Sequence, residues 1–103
     1  MANNYKNAKL DLTATSVTTL YTCPVAKTAV FKSILVSEDS GNADTITVTV
    51  TNGSSVFSLF KVKAVAANTT VELLTAPLVI EESEVVKVTA ATANRLHVVA
   101  SFL

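Results

Sequence analysis

The sequence of 103 residues predicts an all-β protein, a single-domain antiparallel β-sandwich, jelly-roll-like, with eight or nine strands. Short runs of β-branched and aromatic residues alternate apolar with polar positions, which is the period of a half-buried strand. Turn residues separate these runs about every ten residues, a spacing typical of sandwiches. The length suffices for one hydrophobic core, so residues 1–103 are predicted to form one domain.

The clearest strand covers residues 45–51, in which isoleucine and valine alternate with four threonines. Because successive side chains of a strand point to opposite faces, this strand has an apolar face and a hydroxyl-lined face. Asn52 and Gly53 follow at once, and both residue types tolerate the positive φ angles of a tight hairpin turn. We therefore expect the chain to reverse direction in a turn over residues 52–55.

The other strands are predicted on the same grounds, after a polar and flexible N-terminal arm at residues 1–7. Their predicted ranges are 9–13, 17–23, 28–37, 56–65, 71–74, 78–80, 84–90 and 96–103. Residues 38–43 are polar and contain a glycine, so they are predicted to be a solvated surface loop that begins at Glu38.

The predicted strand at 28–37 is apolar on both faces. Strict alternation places Val30, Ile34 and Val36 on one face and Phe31 and Leu35 on the other. Such a strand is expected to be covered on both sides, by the second layer of the fold or by a neighbouring subunit.

Charge and hydropathy limit the classes of function. Hydrophobic residues make up 50% of the chain and charged residues 16%, against about 25% charged in average soluble domains. Eight basic and eight acidic residues cancel, so the sequence lacks the basic excess of nucleic-acid or polybasic membrane proteins. So few charges predict a Thr-, Ser- and Ala-rich surface that other subunits cover in part. No secretory signal or membrane-spanning run is recognisable, and synthesis in the cytoplasm is expected.

One cysteine and one histidine are the only candidates for nucleophilic catalysis. Cys23 and His97 could act as nucleophile and base if the fold brought them together. However, Cys23 precedes Pro24 in an apolar run, where a free cysteine usually serves as a small buried hydrophobe. His97 alternates with core residues and is expected to point to solvent or to a subunit contact. A single cysteine also excludes an intramolecular disulfide.

Acidic residues offer the only candidate cation site. Glu81, Glu82 and Glu84, with Asp39 or Asp44, could supply oxygen ligands to a hard cation such as calcium. No glycine lies nearby to make the sharp turn of a calcium loop, so a charged, solvated turn is the preferred interpretation.

Two lysines and two tyrosines complete the candidates. Lys61 and Lys63 share a predicted strand, but without aromatic neighbours they do not form a nucleic-acid platform and instead discourage pairing at a sheet edge. Tyr5 and Tyr21 are the only residues suited to stacking on a sugar. The sequence therefore assigns no catalytic, cofactor-binding or metal-binding residue, and predicts a protein that is not an enzyme and needs no cofactor.

Five segments carry a resemblance to a known family, at residues 19–24 (TLYTCP), 28–37 (TAVFKSILVS), 68–74 (NTTVELL), 77–81 (PLVIE) and 97–103 (HVVASFL). Together, residues 16–103 resemble small all-β virion structural proteins of tailed bacteriophages. These segments are patterns of strands and turns rather than catalytic signatures. The family commonly has a Glu-Gly-Asp turn where this chain has Glu82, Ser83 and Glu84, a difference expected to change the turn type.

The resemblance implies a bacteriophage particle protein that decorates or cements the capsid. Such proteins pack as small homo-oligomers on the major capsid protein, and a trimer would fit. A tail or fibre accessory protein is the alternative, and a carbohydrate-binding or adhesion module is a further one. Neither nucleic acid nor membrane is expected as a partner, and the expected location is the virion after synthesis in the host cytoplasm.

Overall fold

A computed structural model describes residues 5–103, so part of the predicted arm, residues 1–4, lies outside the described residues. The described chain is all-β and has nine strands in two antiparallel sheets, which confirms the predicted sandwich. The strands are β1 (Lys6–Asp11), β2 (Thr18–Thr22), β3 (Ala29–Glu38), β4 (Asp44–Asn52), β5 (Ser55–Val65), β6 (Thr70–Glu72), β7 (Leu78–Ile80), β8 (Val85–Ala90) and β9 (Leu96–Phe102).

The order of strands in the sheets is that of a jelly roll. One sheet has the order β1-β9-β3-β6, with β7 also paired to β3, and the other has the order β2-β8-β4-β5. The pairing is therefore nested: the first strand pairs with the last, β2 with β8, β3 with β6 and β7, and β4 with β5. A long hairpin rolled into two sheets gives this pattern, with the β4–β5 turn at its closed end.

The prediction for β4 is confirmed residue by residue. Ile46, Val48 and Val50 are buried between the sheets, and the threonines of β4 lie half-buried on the outer face. The core consists of apolar side chains from both sheets, as expected for a sandwich whose inner faces interdigitate.

The start of β1 differs from the prediction. Lys6 and Asn7, which were assigned to the flexible arm, pair with Phe102 and Ser101 of β9. Strand formation here depends on backbone hydrogen bonds to the end of the chain. A polar local sequence does not reveal such pairing, and this is why the strand begins three residues before the predicted start at residue 9.

A bulge in β3 overturns the predicted faces of that strand. The register of β3 against β9 shifts between Phe31 and Ser33, where one strand carries an extra residue. The extra residue places Phe31 on the buried face together with Ile34, whereas Val30 is only half-buried. The ring of Phe31 stacks on Phe102 with a centroid distance of 4.9 Å, so the bulge places a large aromatic side chain in the core.

The hairpin turn after β4 lies within the predicted range, residues 52–55. Asn52 is the last residue of β4 and pairs with Ser55, so Gly53 and Ser54 are the two turn residues. Only Gly53 of this pair has a positive φ, at 61°, which is the pattern of a type II′ turn with glycine at its first central position.

Gly53→Val is expected to destabilise the fold by about 1–3 kcal/mol, because a β-branched residue resists the positive φ that this position requires. Ser54→Val, its matched control, does not meet that restriction and is expected to cost less. Urea unfolding of the two variants checks this prediction. Equal losses of unfolding free energy would contradict the turn assignment.

Candidate functional site

The structure does not pair the candidate nucleophile with the candidate base. Cys23 is buried, as predicted, and its Sγ donates a hydrogen bond to the carbonyl oxygen of Lys27 at 3.3 Å. His97 lies in the other sheet, with Nε2 3.2 Å from Asp11 and Nδ1 3.7 Å from Asp39. Each residue thus has partners of its own, and no nucleophile–base contact joins them.

Tyr21 is packed into the core rather than presented as a sugar platform. Its ring centroid is 4.5 Å from that of Phe102 and 5.5 Å from that of Phe31. Burial raises the pKa of Tyr21, and the neighbouring thiol of Cys23 raises it further. Tyr5, immediately before β1, is 72% exposed.

The carboxylates of two candidate cation ligands accept hydrogen bonds from backbone groups. A Glu82 carboxylate oxygen accepts a hydrogen bond from the backbone N–H of Ala26 at 2.6 Å, and a Glu84 oxygen accepts one from the N–H of Glu81 at 2.7 Å. Asp44, the first residue of β4, is buried. Within residues 5–103, no three His, Cys, Asp or Glu side chains are grouped so that they could hold a metal ion.

Glu38 is the most extensively hydrogen-bonded polar side chain, and the sequence did not predict it. It is 2% exposed, in contrast to the solvated loop expected there. Its carboxylate accepts backbone N–H groups from Ser40, Gly41, Asn42 and Asn68 at 2.8–3.1 Å, and also the Ser40 hydroxyl. Burial by itself would raise the pKa of Glu38, but these donors lower it from 4.5 to about 2. The carboxylate therefore ties the β3–β4 loop to the β5–β6 turn.

Glu38→Gln is expected to lower the melting temperature more than the matched control Asp39→Asn at the exposed neighbouring residue. The glutamine amide replaces one carboxylate oxygen with an NH₂ donor, and this donor would face the backbone N–H groups that the carboxylate accepts. The lowered pKa makes the effect depend on pH. The contribution of Glu38 is fully present above its ordinary pKa of 4.5 and is lost as the pH falls toward about 2. Melting temperatures of wild type and Glu38→Gln should therefore converge between these pH values, and a constant difference would contradict the assignment.

The uncovered edge of the second sheet is the candidate interaction surface. Strand β5 pairs only with β4 and exposes several large apolar side chains: Val56 and Val62 at 61%, Phe57 at 56% and Leu59 at 37%. Its register against β4 shifts twice, and Val62 has a φ of 53° with its N–H donated to Thr47 Oγ. These bulges distort the free edge of β5, which hinders pairing of a further strand.

A groove lies between β5 and residues 71–78, and we call it the edge groove. It encloses about 480 Å³ and is lined mainly by apolar side chains, among them Leu59, Phe60, Leu73 and Leu78. The groove exists because the facing edge of the other sheet is interrupted: β6 and β7 are three residues each. The inner side of β5 is therefore left without a complete covering strand.

Lys63 lies on the β5 wall of the edge groove. It is the cross-strand partner of Ile46, so its side chain is on the side of β5 that faces the sandwich interior. Lys61, two residues earlier, is also exposed. The groove thus combines apolar walls with one basic residue, Lys63, and one acidic residue, Glu72.

The topology and the edge together define a small jelly-roll β-sandwich with an uncovered, partly basic apolar edge. Compared with known protein families and with curated proteins, the chain has no match to either. Over residues 5–103, no helix is present that is long and apolar enough to span a membrane.

Proposed function

We propose that the protein is a non-enzymatic structural component of a bacteriophage particle, which decorates or cements the capsid by packing as a small homo-oligomer on the major capsid protein. The observation that carries this proposal is the apolar edge formed by β5 and the edge groove. The resemblance of residues 16–103 to virion structural proteins implies the particle as the location.

The physical argument concerns the cost of the exposed edge. Apolar surface left in water costs roughly 25 cal/mol per Å² relative to burial, so four large apolar side chains on one strand favour a covered state. Interfaces of permanent assemblies are more apolar than free surfaces, and jelly rolls are recurrent domains of viral capsids. An assembly protein needs no reactive group, which agrees with the separate positions of Cys23 and His97.

The alternatives differ in how far the structure supports them. A tail or fibre accessory protein would use the same apolar edge at another place in the particle. A carbohydrate-binding module would need exposed aromatic rings, and the packing of Tyr21 against Phe31 and Phe102 removes one of its two candidates.

Quantitative mass spectrometry of purified, salt-washed particles tests the proposal. The protein is expected in a fixed ratio to the major capsid protein, and that ratio should be retained in tailless heads. A fixed ratio to tail proteins instead would favour the accessory role. Absence from washed particles would contradict both particle roles.

A further inference from the structure

The charges of this chain are not paired with one another. All eight Lys and Arg residues and all eight Asp and Glu residues lie within residues 5–103. The ion pairs in that part of the chain are the two made by His97, and no Lys or Arg forms one. A neutral chain with unpaired charges of both signs can form ion pairs between two copies of itself.

Two sets of these charges lie toward opposite ends of the second sheet. One set has Glu81, Glu82 and Glu84 together with Lys27, and the other has Lys61 and Lys63 together with Asp44. Lys63 pairs with Ile46 near the start of β4, whereas Val85, which directly follows Glu84, pairs with Thr51 near its end. Positions 46 and 51 are five residues apart, or roughly 17 Å along a strand. One end of the sheet therefore has an excess of basic residues and the other an excess of acidic residues.

The acidic end consists of two exposed turns, residues 24–27 and 81–84, which carry three glutamates and Lys27; we call it the acidic tip. Its two turns are held together because Cys23 donates its N–H to the carbonyl of Glu84 and accepts the N–H of Ser83, both at 2.9 Å. The contact of Glu82 with Ala26 adds a third link. Val25, in the first of these turns, has 75% of its surface exposed.

We propose that a second copy of this chain covers the edge groove, with the acidic tip of one copy docked against the β5 wall of the other. Val25 of the first copy packs on the apolar walls of the groove in the second copy, and Glu81 of the first copy lies beside Lys63 of the second. The contact uses side chains because the bulges of β5 hinder pairing of an added strand. Glu72, the acidic residue of the groove, is already engaged by the Ser33 hydroxyl and the N–H groups of Ile34 and Leu74.

The inference deepens the homo-oligomer part of the proposed function, and a charge exchange tests it. Glu81 is the residue to change in the tip, because the carboxylates of Glu82 and Glu84 hold the turns together. Lys63→Glu and Glu81→Lys are each expected to raise the dissociation constant of the purified oligomer about tenfold or more. The double variant, which exchanges the two charges, should restore association. Lys32→Glu, at an exposed position of β3, is the matched control and should have no effect.

Sedimentation equilibrium and native mass spectrometry, with circular dichroism as the check of folding, give the readout. A monomeric wild type overturns the inference, and so does an oligomer that Lys63→Glu leaves unchanged or that the double variant fails to restore. A monomer that binds isolated capsid shells through Lys63 would mean that the capsid protein occupies the groove, which also overturns it. Self-association needs no particle, so an oligomer that is absent from particles would contradict the proposed function alone.

Discussion

Val48→Asp is expected to abolish folding. Val48 is fully buried at the centre of β4, between its cross-strand neighbours Val88 and Phe60. An aspartate there would be an unpaired charge in the core, with a cost of several kcal/mol against a total stability of about 5–15 kcal/mol. Thermal melting followed by circular dichroism, together with the yield of soluble protein, measures the outcome.

Thr49→Asp is the matched control for Val48→Asp. Thr49 is the next residue of β4 and lies on the outer face, where an aspartate stays in contact with water. This variant should fold and melt cooperatively. A soluble, cooperatively melting Val48→Asp protein would contradict the assignment of the inner face of β4.

Phe31→Ala is expected to cost about 3–5 kcal/mol, since it removes a fully buried ring from the aromatic cluster with Tyr21 and Phe102. Leu35→Ala on the same strand should cost much less, because Leu35 is on the outer face and is 38% exposed. Urea unfolding of both variants therefore tests the bulge in β3. Strict alternation would place the two side chains on one face, so similar losses of unfolding free energy would contradict the bulge.

The sequence predicted those elements whose signals are local. The alternation within residues 45–51 determines both faces of β4, because the period of a strand needs no knowledge of its partners. The nine-strand sandwich follows from many such runs and from the turns between them. The hairpin was also placed correctly, within residues 52–55, since glycine readily adopts the positive φ that Gly53 has in the turn.

The errors concern features that depend on distant parts of the chain. The bulge that turns Phe31 inward is a mismatch between β3 and β9, which lie more than half the chain apart. The strand character of Lys6 and Asn7 comes from the same distant β9. The local sequence predicted Glu38 to be a solvated loop residue. Only the folded chain brings the N–H of Asn68 to its carboxylate. The Ser40-Gly41-Asn42 sequence, with N–H groups two to four residues after a glutamate, is the one local signal that pointed to it.

The sequence predicted a contact surface but did not predict which strand carries the candidate. Low charge indicated that part of the surface is covered, and the hydroxyl-lined face of β4 was one possible location for that contact. The structure instead exposes the larger apolar side chains on β5, at the edge where β6 and β7 leave the sandwich incompletely covered. The position of a sheet edge follows from strand order, and strand order is a property of the whole fold.

Reconstruction of the intact particle by electron cryomicroscopy tests the proposed role most directly. The proposal predicts jelly-roll density on the outside of the capsid, at the junctions of capsid subunits, with β5 and the edge groove buried in a contact. A particle without such density, or one in which β5 faces solvent in every copy, would contradict it.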